Sequence, residues 1–376
     1  MENNLQTSLP PIVNSKPRPD ELEVSIFGSH FGECIVIHLP NGKWMIVDSC
    51  LDIKNKEPIA LSYLSRIGID ISNDVQLIII THWHDDHIQG ISQLISACHS
   101  ARVCFSSAMT QKEFLTLIDG FSGKYSLVPN HTSGTREIAN TIKELKNRIS
   151  SSSTSSKYMT PVTADRILLE DSMASIRIRS LSPSDKSYHQ ALACFSSLIP
   201  HDNAERITLQ SPKKNHLSIV LWVSCNNSTV LLGSDLEEVN DEETGWRAII
   251  NSSLRPEEKA HLFKIPHHGS KTGHSDDVWN MMVKEDVLCL VTENTRGSYS
   301  IPTPKDIARI KSYSSKLFST SAPRQKLSKR NNTVEKTLRE MAKKRKSLGG
   351  DLGQIQVRIT PDGNTIVKAK EPATQL

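Results

Sequence analysis

The sequence predicts an α/β fold in which strands dominate and helices are interspersed. Apolar runs of strand length recur between polar turns, and one clear helical spacing follows the fourth of them. No apolar window approaches the roughly 18–20 residues that a membrane-spanning helix needs. The chain has 376 residues, 37% hydrophobic and 23% charged, with a net charge of +4. That composition excludes a disordered tail, a collagen and a small disulfide scaffold, and the length suits one large domain with an extension, or two domains.

The opening strands are read at Val24 to Phe27, Cys34 to Leu39, Trp44 to Val47 and Leu77 to Ile80. After His87 the spacing changes, because Ile91, Leu94, Ile95 and Cys98 share one face of a helix. Ser150 to Ser156 is serine-rich with nothing to bury, which reads as a surface loop. Strands resume at Ser175 to Leu181, Ser218 to Val223, Thr229 to Leu232 and Leu262 to Ile265, with helices at Glu242 to Ile250 and Lys305 to Ser312. Near the C-terminus, Ile355 to Ile359 and Thr365 to Lys368 flank Pro361-Asp362-Gly363-Asn364, which reads as a strand hairpin.

Residues 1–20 are rich in proline and polar side chains, have no apolar core of signal-peptide length, and read as a loose arm. The seven cysteines (Cys34, Cys50, Cys98, Cys104, Cys194, Cys225 and Cys289) show no CxxC spacing, and several sit in apolar runs. Reduced core thiols and a cytoplasmic protein are the expectation. Between Arg324 and Lys346 stand ten basic residues and two acidic ones, so the remainder of the chain is net acidic. This segment is either a solvated basic helix or a set of phosphate contacts, with Lys343, Lys344, Arg345 and Lys346 the candidates for nucleic acid.

The strongest chemical signal is Thr81-His82-Trp83-His84-Asp85-Asp86-His87, placed between a strand and a helix. Imidazole and carboxylate donors together suit zinc, manganese or iron, and a loop at a strand end gathers alternating side chains into one pocket. HWHDDH resembles the HxHxDH motif of the metallo-β-lactamase fold superfamily. That resemblance implies that His82 and His84 bind one metal ion and that Asp86 and His87 bind a second, with Asp85 at a variable position.

Three further segments resemble the same superfamily in the same order. Asp48, ending Trp44-Met45-Ile46-Val47, is similar to the acid that braces the metal loop; a surface-turn aspartate is the plain alternative. Asp235, after Val230-Leu231-Leu232-Gly233-Ser234, resembles the carboxylate that bridges the metals; a helix N-cap is the alternative. Lys264-Ile265-Pro266-His267-His268-Gly269-Ser270 resembles the KxPHHGS segment of the metallo-β-lactamase domain of the competence protein ComEC and its free-standing relatives. Asn215-His216-Leu217-Ser218 and Gly32-Glu33-Cys34 resemble two further segments of that subgroup, and the similarity covers roughly Leu22 to Ser312.

Within the histidine pair, His267 is favoured as the ligand, with His268 as an acid or substrate-binding group, and the opposite choice stays open. Lys264 is either a core-edge lysine or a cation facing substrate phosphate. Gly269-Ser270 is either an ordinary turn or a close approach for an anion. One departure from the superfamily concerns the further histidine that many members give to the first metal. Among His189, His201 and His216 none is clearly that ligand, which leaves the first ion with His82, His84, Asp235 and water.

The resemblance implies an αββα sandwich of two mixed sheets with outer helices, its hydrolase domain spanning 21–320 between the arm and a basic C-terminal extension at 321–376. It implies two divalent ions, zinc or manganese, that activate a bridging hydroxide. Asp86, His268 and Lys264 are the candidate catalytic groups, with Asp48, Asn215 and Ser270 in support. The ComEC-like likeness and the basic segment together point to a nuclease or phosphodiesterase acting on DNA or RNA, with a partner protein of a multi-gene defence system implied by the free-standing relatives. A hydrolase of small esters, thioesters or lactones is the alternative, which a pocket without basic lining would favour. A nucleic-acid-binding regulatory subunit with a vestigial metal site is the third.

Overall fold

The structure is a computed structural model, and it describes residues 9–28, 31–122, 133–150, 159–199, 214–296, 299–322 and 352–376. The basic segment with its four candidate nucleic-acid contacts, His201 and nearly all of the serine-rich stretch lie outside the described residues.

Two mixed sheets form the centre. The first contains β1 (Leu22–Gly28), β2 (Glu33–His38), β3 (Trp44–Val47), β4 (Val75–Ile80), β5 (Arg102–Ser106) and β6 (Met159–Val162). Two late strands, β16 (Gly353–Ile359) and β17 (Thr365–Lys370), join it in the order β17-β16-β1-β2-β3-β4-β5-β6. The second sheet contains β7 (Arg166–Asp171), β8 (Ile176–Ser180), β9 (Leu221–Cys225), β10 (Ser228–Leu232), β11 (Ala260–Lys264), β12 (Val283–Val291), β15 (Leu317–Ser319) and β18 (Thr374–Gln375). Its order is β18-β15-β12-β11-β10-β9-β8-β7. A small hairpin, β13 (Asn294–Arg296) with β14 (Tyr299–Ile301), stands apart from both.

The helices are α1 (Ile59–Arg66), α2 (Ile71–Asp74), α3 (Asp85–Ile88), α4 (Ile91–Ala97), α5 (Lys112–Ser122), α6 (Ser133–Ser150), α7 (Asp185–Leu198), α8 (Gly245–Asn251), α9 (Asp276–Met281) and α10 (Pro304–Lys311). Period-2 alternation sorts the strand residues into three packed layers. Leu77 and Ile79 join Ile178, Val223, Leu232, Leu262 and Leu290 between the sheets. Ile78 and Ile80 face outward with α1, α4, α5 and α6, while Leu231, Phe263 and Cys289 face outward under α8, α9 and α10. The expected αββα layering is therefore present. Coverage on both faces explains why β4 carries the continuous apolar run Leu77-Ile78-Ile79-Ile80 rather than an alternation.

The strand order decides where a site can form. In sheet 1, β3, β4 and β5 run parallel, and in sheet 2 β10, β11 and β12 do. Their carboxyl ends deliver Asp48, Thr81 to His84, Asp235, His267 with His268, and Thr292 to Asn294 to one rim, the place where open α/β sheets bind ligands.

The C-terminal hairpin forms as expected, and it lengthens sheet 1: β16 pairs with β1 over seven residues, burying Ile355, Val357 and Ile359 between the sheets. Most of the N-terminal segment over residues 10–20 is exposed, and it touches sheet 1 near its described start. There Ala369 N donates to Pro10 O at 3.0 Å and Leu9 packs on the central layer. It thereby covers part of an edge that would otherwise present open backbone groups. The cysteines are free thiols as expected, six buried and Cys194 half-buried. Among the described residues no helix is long and apolar enough to cross a membrane.

Candidate metal centre

Asp48 organises the motif loop. It follows β3 with φ 60°, and is 1% exposed. Its Oδ1 accepts from Thr81 N at 2.8 Å, and its Oδ2 accepts from Thr81 Oγ1 at 2.7 Å and from His87 Nδ1 at 2.8 Å. Since the Thr81 proton is committed to Asp48, its oxygen must accept from His82 Nδ1 at 3.0 Å. One carboxylate thus fixes the ring protons of two histidines, directly for His87 and through Thr81 for His82. Both Nε2 lone pairs are left facing the same space.

That space is ringed by carboxylates. Asp235 Oδ2 lies 3.7 Å from His82 Nε2, 3.4 Å from His87 Nε2 and 3.7 Å from His268 Nε2. Asp86 Oδ2 lies 3.3 Å from His268 Nε2 and 4.0 Å from His87 Nε2. His84 Nδ1 approaches His82 Nε2 at 3.0 Å. Three groups bring their donor atoms within 4.8 Å of one another: Asp48-His82-His87, His82-His84-Asp235, and Asp86-His87-His268. Burial without hydrogen bonds at His87 Nε2 and Asp235 Oδ1 is costly unless something positive sits between them, so the donor set fits a metal ion.

Without an ion, the carboxylates draw a proton into the cluster in its place. Burial opposes charge on Asp235, yet His87 and His268 hold its carboxyl well below the usual range, and His268 and His87 do the same for Asp86. Burial disfavours a proton on His87, but Asp235 and Asp48 outweigh it and raise its pKa well above the ordinary value. His82 is pushed down by burial and by His87 and His84. In Asp48 burial wins over its hydrogen bonds and raises the pKa.

Within the histidine pair, the geometry places the two rings differently from the favoured reading. His268, buried, belongs to the donor group with Asp86 and His87, whereas His267 does not join any of the three groups. Both residues adopt left-handed backbone, φ 47° and 52°, and Gly269 follows at φ 78°. Such a turn rotates the second ring inward and the first toward solvent, a strained arrangement of the sort that clusters at functional sites. His267 lies on the cavity wall, with Nδ1 2.8 Å from Thr272 Oγ1 and 3.2 Å from Glu237 Oε1. Burial lowers the pKa of His267, and Glu237 and Asp235 more than restore it.

Lys264 resolves to the core-edge reading. It is 0% exposed, 2.7 Å from Glu33 Oε1, and its Nζ donates to Ser234 O at 3.1 Å, so it does not face a substrate. Ser270 likewise serves the turn: its Oγ accepts from Thr272 N at 3.3 Å and does not line the cavity. Asp85 faces α6, accepting from Gly134 N at 2.9 Å. His216 approaches Glu237 at 3.6 Å and His189 sits on α7, so neither supplies a further donor.

A cavity of about 300 Å³ opens onto the cluster, lined by His84, Asp86, Asn215, Asp235, His267, Asn294 and Ile301. No lysine or arginine lines it among the described residues. Asn294 and Ile301 were not foreseen. They pair across the β13–β14 hairpin, and the Asn294 amide donates to Asp86 Oδ2 while lying 3.3 Å from His268 Nε2. The one available signal was the polar run Thr292-Glu293-Asn294-Thr295 directly after an apolar strand.

Comparison with known proteins matches this region. Residues 28–113 fit the family model described as Metallo-beta-lactamase superfamily. Solved structures similar to the chain include the metallo-beta-lactamase fold protein YhfI from Bacillus subtilis, at 13% identity over 65% of this chain and 70% of that one, with a TM-score of 0.33. A putative metallo-beta-lactamase from Thermotoga maritima is 14% identical over 57% of this chain and 79% of that one, TM-score 0.33. Metallo-beta-lactamase SMB-1 is 12% identical over 68% and 82%, TM-score 0.35. No curated protein matches. The superfamily consists mostly of metal-dependent hydrolases, and the part of this chain that matches its model, residues 28–113, carries the HWHDDH loop and its Asp48 brace.

Proposed function

We propose that the protein is a dinuclear metal-dependent hydrolase. The observation that carries this reading is the convergence of two donor groups, His82-His84-Asp235 and Asp86-His87-His268, with Asp235 Oδ2 between their rings at 3.4 to 3.7 Å. Zinc or manganese held by these residues would supply an activated water and polarise the bond to be cut. The chain's own residues do the rest. Asp48 and Thr81 orient His82 and His87, Asn294 holds Asp86, and His267 with Asn215 presents polar atoms to substrate from the cavity wall.

For the substrate we favour a phosphodiester of DNA or RNA. The support is the ComEC-like resemblance of the Lys264 to Ser270 and Asn215 to Ser218 segments and the basic run at 324–346. A role in a multi-gene defence system with a partner protein belongs to the same resemblance. One observation favours the second reading, a small ester, thioester or lactone: the cavity has Ile301 in its wall and no cationic side chain among its lining residues.

The deciding experiment measures metal content and cleavage of labelled single- and double-stranded DNA and RNA, and of small esters, with wild type and a His84→Ala/Asp86→Ala double mutant. Nucleic-acid cleavage by wild type alone supports the nuclease. Ester cleavage alone, unaffected by deleting 324–346, moves the assignment to the second reading. Failure to bind metal overturns both and leaves a nucleic-acid-binding subunit.

A further inference from the structure

A buried ion pair that this chemistry does not use lies directly behind His268. Lys264 ends β11 in sheet 2, Glu33 opens β2 in sheet 1, and their side chains meet at 2.7 Å with 0% and 2% exposure. Lys264 occupies Glu33 Oε1, and Glu33 Oε2 accepts the hydroxyl proton of Thr292, the residue that follows β12. With its proton committed there, Thr292 Oγ1 can only accept from the ring it touches, His268 Nδ1 at 2.9 Å. The Thr292 carbonyl, 3.2 Å from the same nitrogen, requires the same ring proton. His268 Nε2 is therefore the lone-pair atom, and it faces Asp86 at 3.3 Å and Asp235 at 3.7 Å.

The first donor group has the same construction. There Asp48 takes the Thr81 proton and Thr81 accepts from His82 Nδ1, which turns His82 Nε2 on the site. Carboxylate, threonine and histidine recur in the same order, once behind each of the two donor groups. The second copy spans both sheets and carries a buried cation that the first lacks.

We propose that Glu33, Thr292 and Lys264 are positioning residues that hold His268 in its metal-accepting tautomer, an inference that rests on reading the cluster as a metal centre. Lys264 has two tasks. Its ammonium keeps Glu33 Oε1 occupied, so that Oε2 remains for Thr292, and it binds the carbonyl of Ser234, immediately before Asp235. One side chain thus fixes the relay to His268 and the strand end that presents Asp235. Outer partners of this kind set ring orientation and metal affinity at metal sites generally.

The test uses full-length protein labelled with 15N-histidine. In metal-free wild type, at a pH where the ring is neutral, His268, identified by its loss in His268→Gln, is expected to carry its proton on Nδ1; a neutral ring protonated on Nε2 alone overturns the relay without requiring any other variant. Cobalt or zinc titration then follows Thr292→Val, Thr292→Ser and Glu33→Gln. Thr292→Val and Glu33→Gln are expected to weaken one equivalent of metal about 10- to 100-fold, with an altered cobalt absorption spectrum, and Thr292→Ser to restore both. Thr292→Val affinity within about twofold of wild type, or no rescue by serine, sinks the proposal while leaving the metal centre intact. If wild type binds no metal, the functional reading fails, and the ring-proton measurement still decides whether the relay exists.

Discussion

Two clusters of polar side chains are buried against sheet 1, and they differ in how they are closed. On the face toward α1, Glu23 is 0% exposed and both of its oxygens are used. Oε1 accepts from Ser25 Oγ at 2.9 Å and from Tyr63 Oη, and Oε2 accepts from Arg358 Nε at 2.8 Å. Gln356 Nε2 in turn donates to Tyr63 Oη at 3.1 Å, and Gln354 Nε2 to Ser25 Oγ at 3.2 Å. Around Asp48 the protons are equally well directed, yet they are all spent on the outer side. His87 Nε2 and Asp235 Oδ1 remain buried without a hydrogen bond. In the first cluster every charged atom is answered within the chain, with only the neutral Gln356 Oε1 left over, and it ties β1, β16 and α1 together. The second requires a further component, and buried polar atoms that a fold leaves unmatched are where binding is to be sought.

The sharpest way to break this comparison is at Asp235. Asp235→Ala is expected to abolish hydrolysis and to lower metal content, a loss beyond the roughly 10–100-fold that removing an outer partner costs. The metal-free variant should lose some stability, but less than Glu23→Ala does, because the depressed Asp235 carboxyl is already paired with His87 and His268 without an ion. A large drop in metal-free stability would mean that the second cluster is as self-contained as the first.

Next in size is Glu23→Ala, which leaves the Arg358 guanidinium, 13% exposed, without its carboxylate. Breaking such a pair costs about 3–5 kcal/mol, to be read from urea unfolding, with metal stoichiometry unchanged. Tyr63→Phe is milder. It removes one donor to Glu23 and the acceptor of Gln356 for about 1–3 kcal/mol. Absorbance titration of the native protein should also show the Tyr63 phenol ionising above the ordinary range, because burial and then Glu23 disfavour the phenolate.

The smallest effect belongs to an exposed carboxylate that is closed in the same way as Glu23. Asp286 accepts from Ser315 N and Oγ, each at 2.8 Å, and with the help of Lys316 its pKa is lowered to about 2. A depressed native pKa contributes stability above the unfolded value, about 3.9, and loses it as pH falls through about 2. The stability difference between wild type and Asp286→Asn should therefore be constant above pH 4 and shrink between pH 4 and 2. A difference that does not change across that window would contradict the assignment.

Much of the site was legible because it is local. Six residues after one strand carry four donors, and apolar runs of strand length located β1 to β4, β8, β10 and β11 within one or two residues. Two elements were misjudged at their starts. β9 begins at Leu221 rather than Ser218, because Ser218 O and Val220 N are taken by the Ser182 hydroxyl. α8 begins at Gly245 rather than Glu242, since Gly245 has φ 58° and Glu242 to Thr244 form the turn before it. The long helices α5, α6 and α7 were not read at all. In α6 the apolar stripe was there to read, Ile138, Ile142 and Leu145 recurring at i, i+4 and i+7, but it is narrow and set among polar and charged residues.

What could not be read is what depends on distant pairing or on a turn. The choice between His267 and His268 rests on three successive left-handed residues, of which only Gly269 announces itself. Glu33 and Thr292 meet across 259 positions, and Asp86 and Asn294 across 208. Neither partner has a local reason to be where it is. The same holds for Lys264, whose burial follows from Glu33 on the opposite sheet.

The seating of β16 between β17 and β1 also has a consequence for how the chain is made. β1 leaves the ribosome more than 300 residues ahead of its partner on that side, which is complete only at Ile359. Until then Val24 and Ile26 lack the neighbours Val357 and Ile355, and one edge of the growing sheet is open. Closure of so long a loop is slow, and a half-made sheet with an open apolar edge is the form in which such chains aggregate. Synthesis on ribosomes stalled before residue 353 should therefore yield nascent chains that hold chaperones, and extension of the chain past β16 should discharge them.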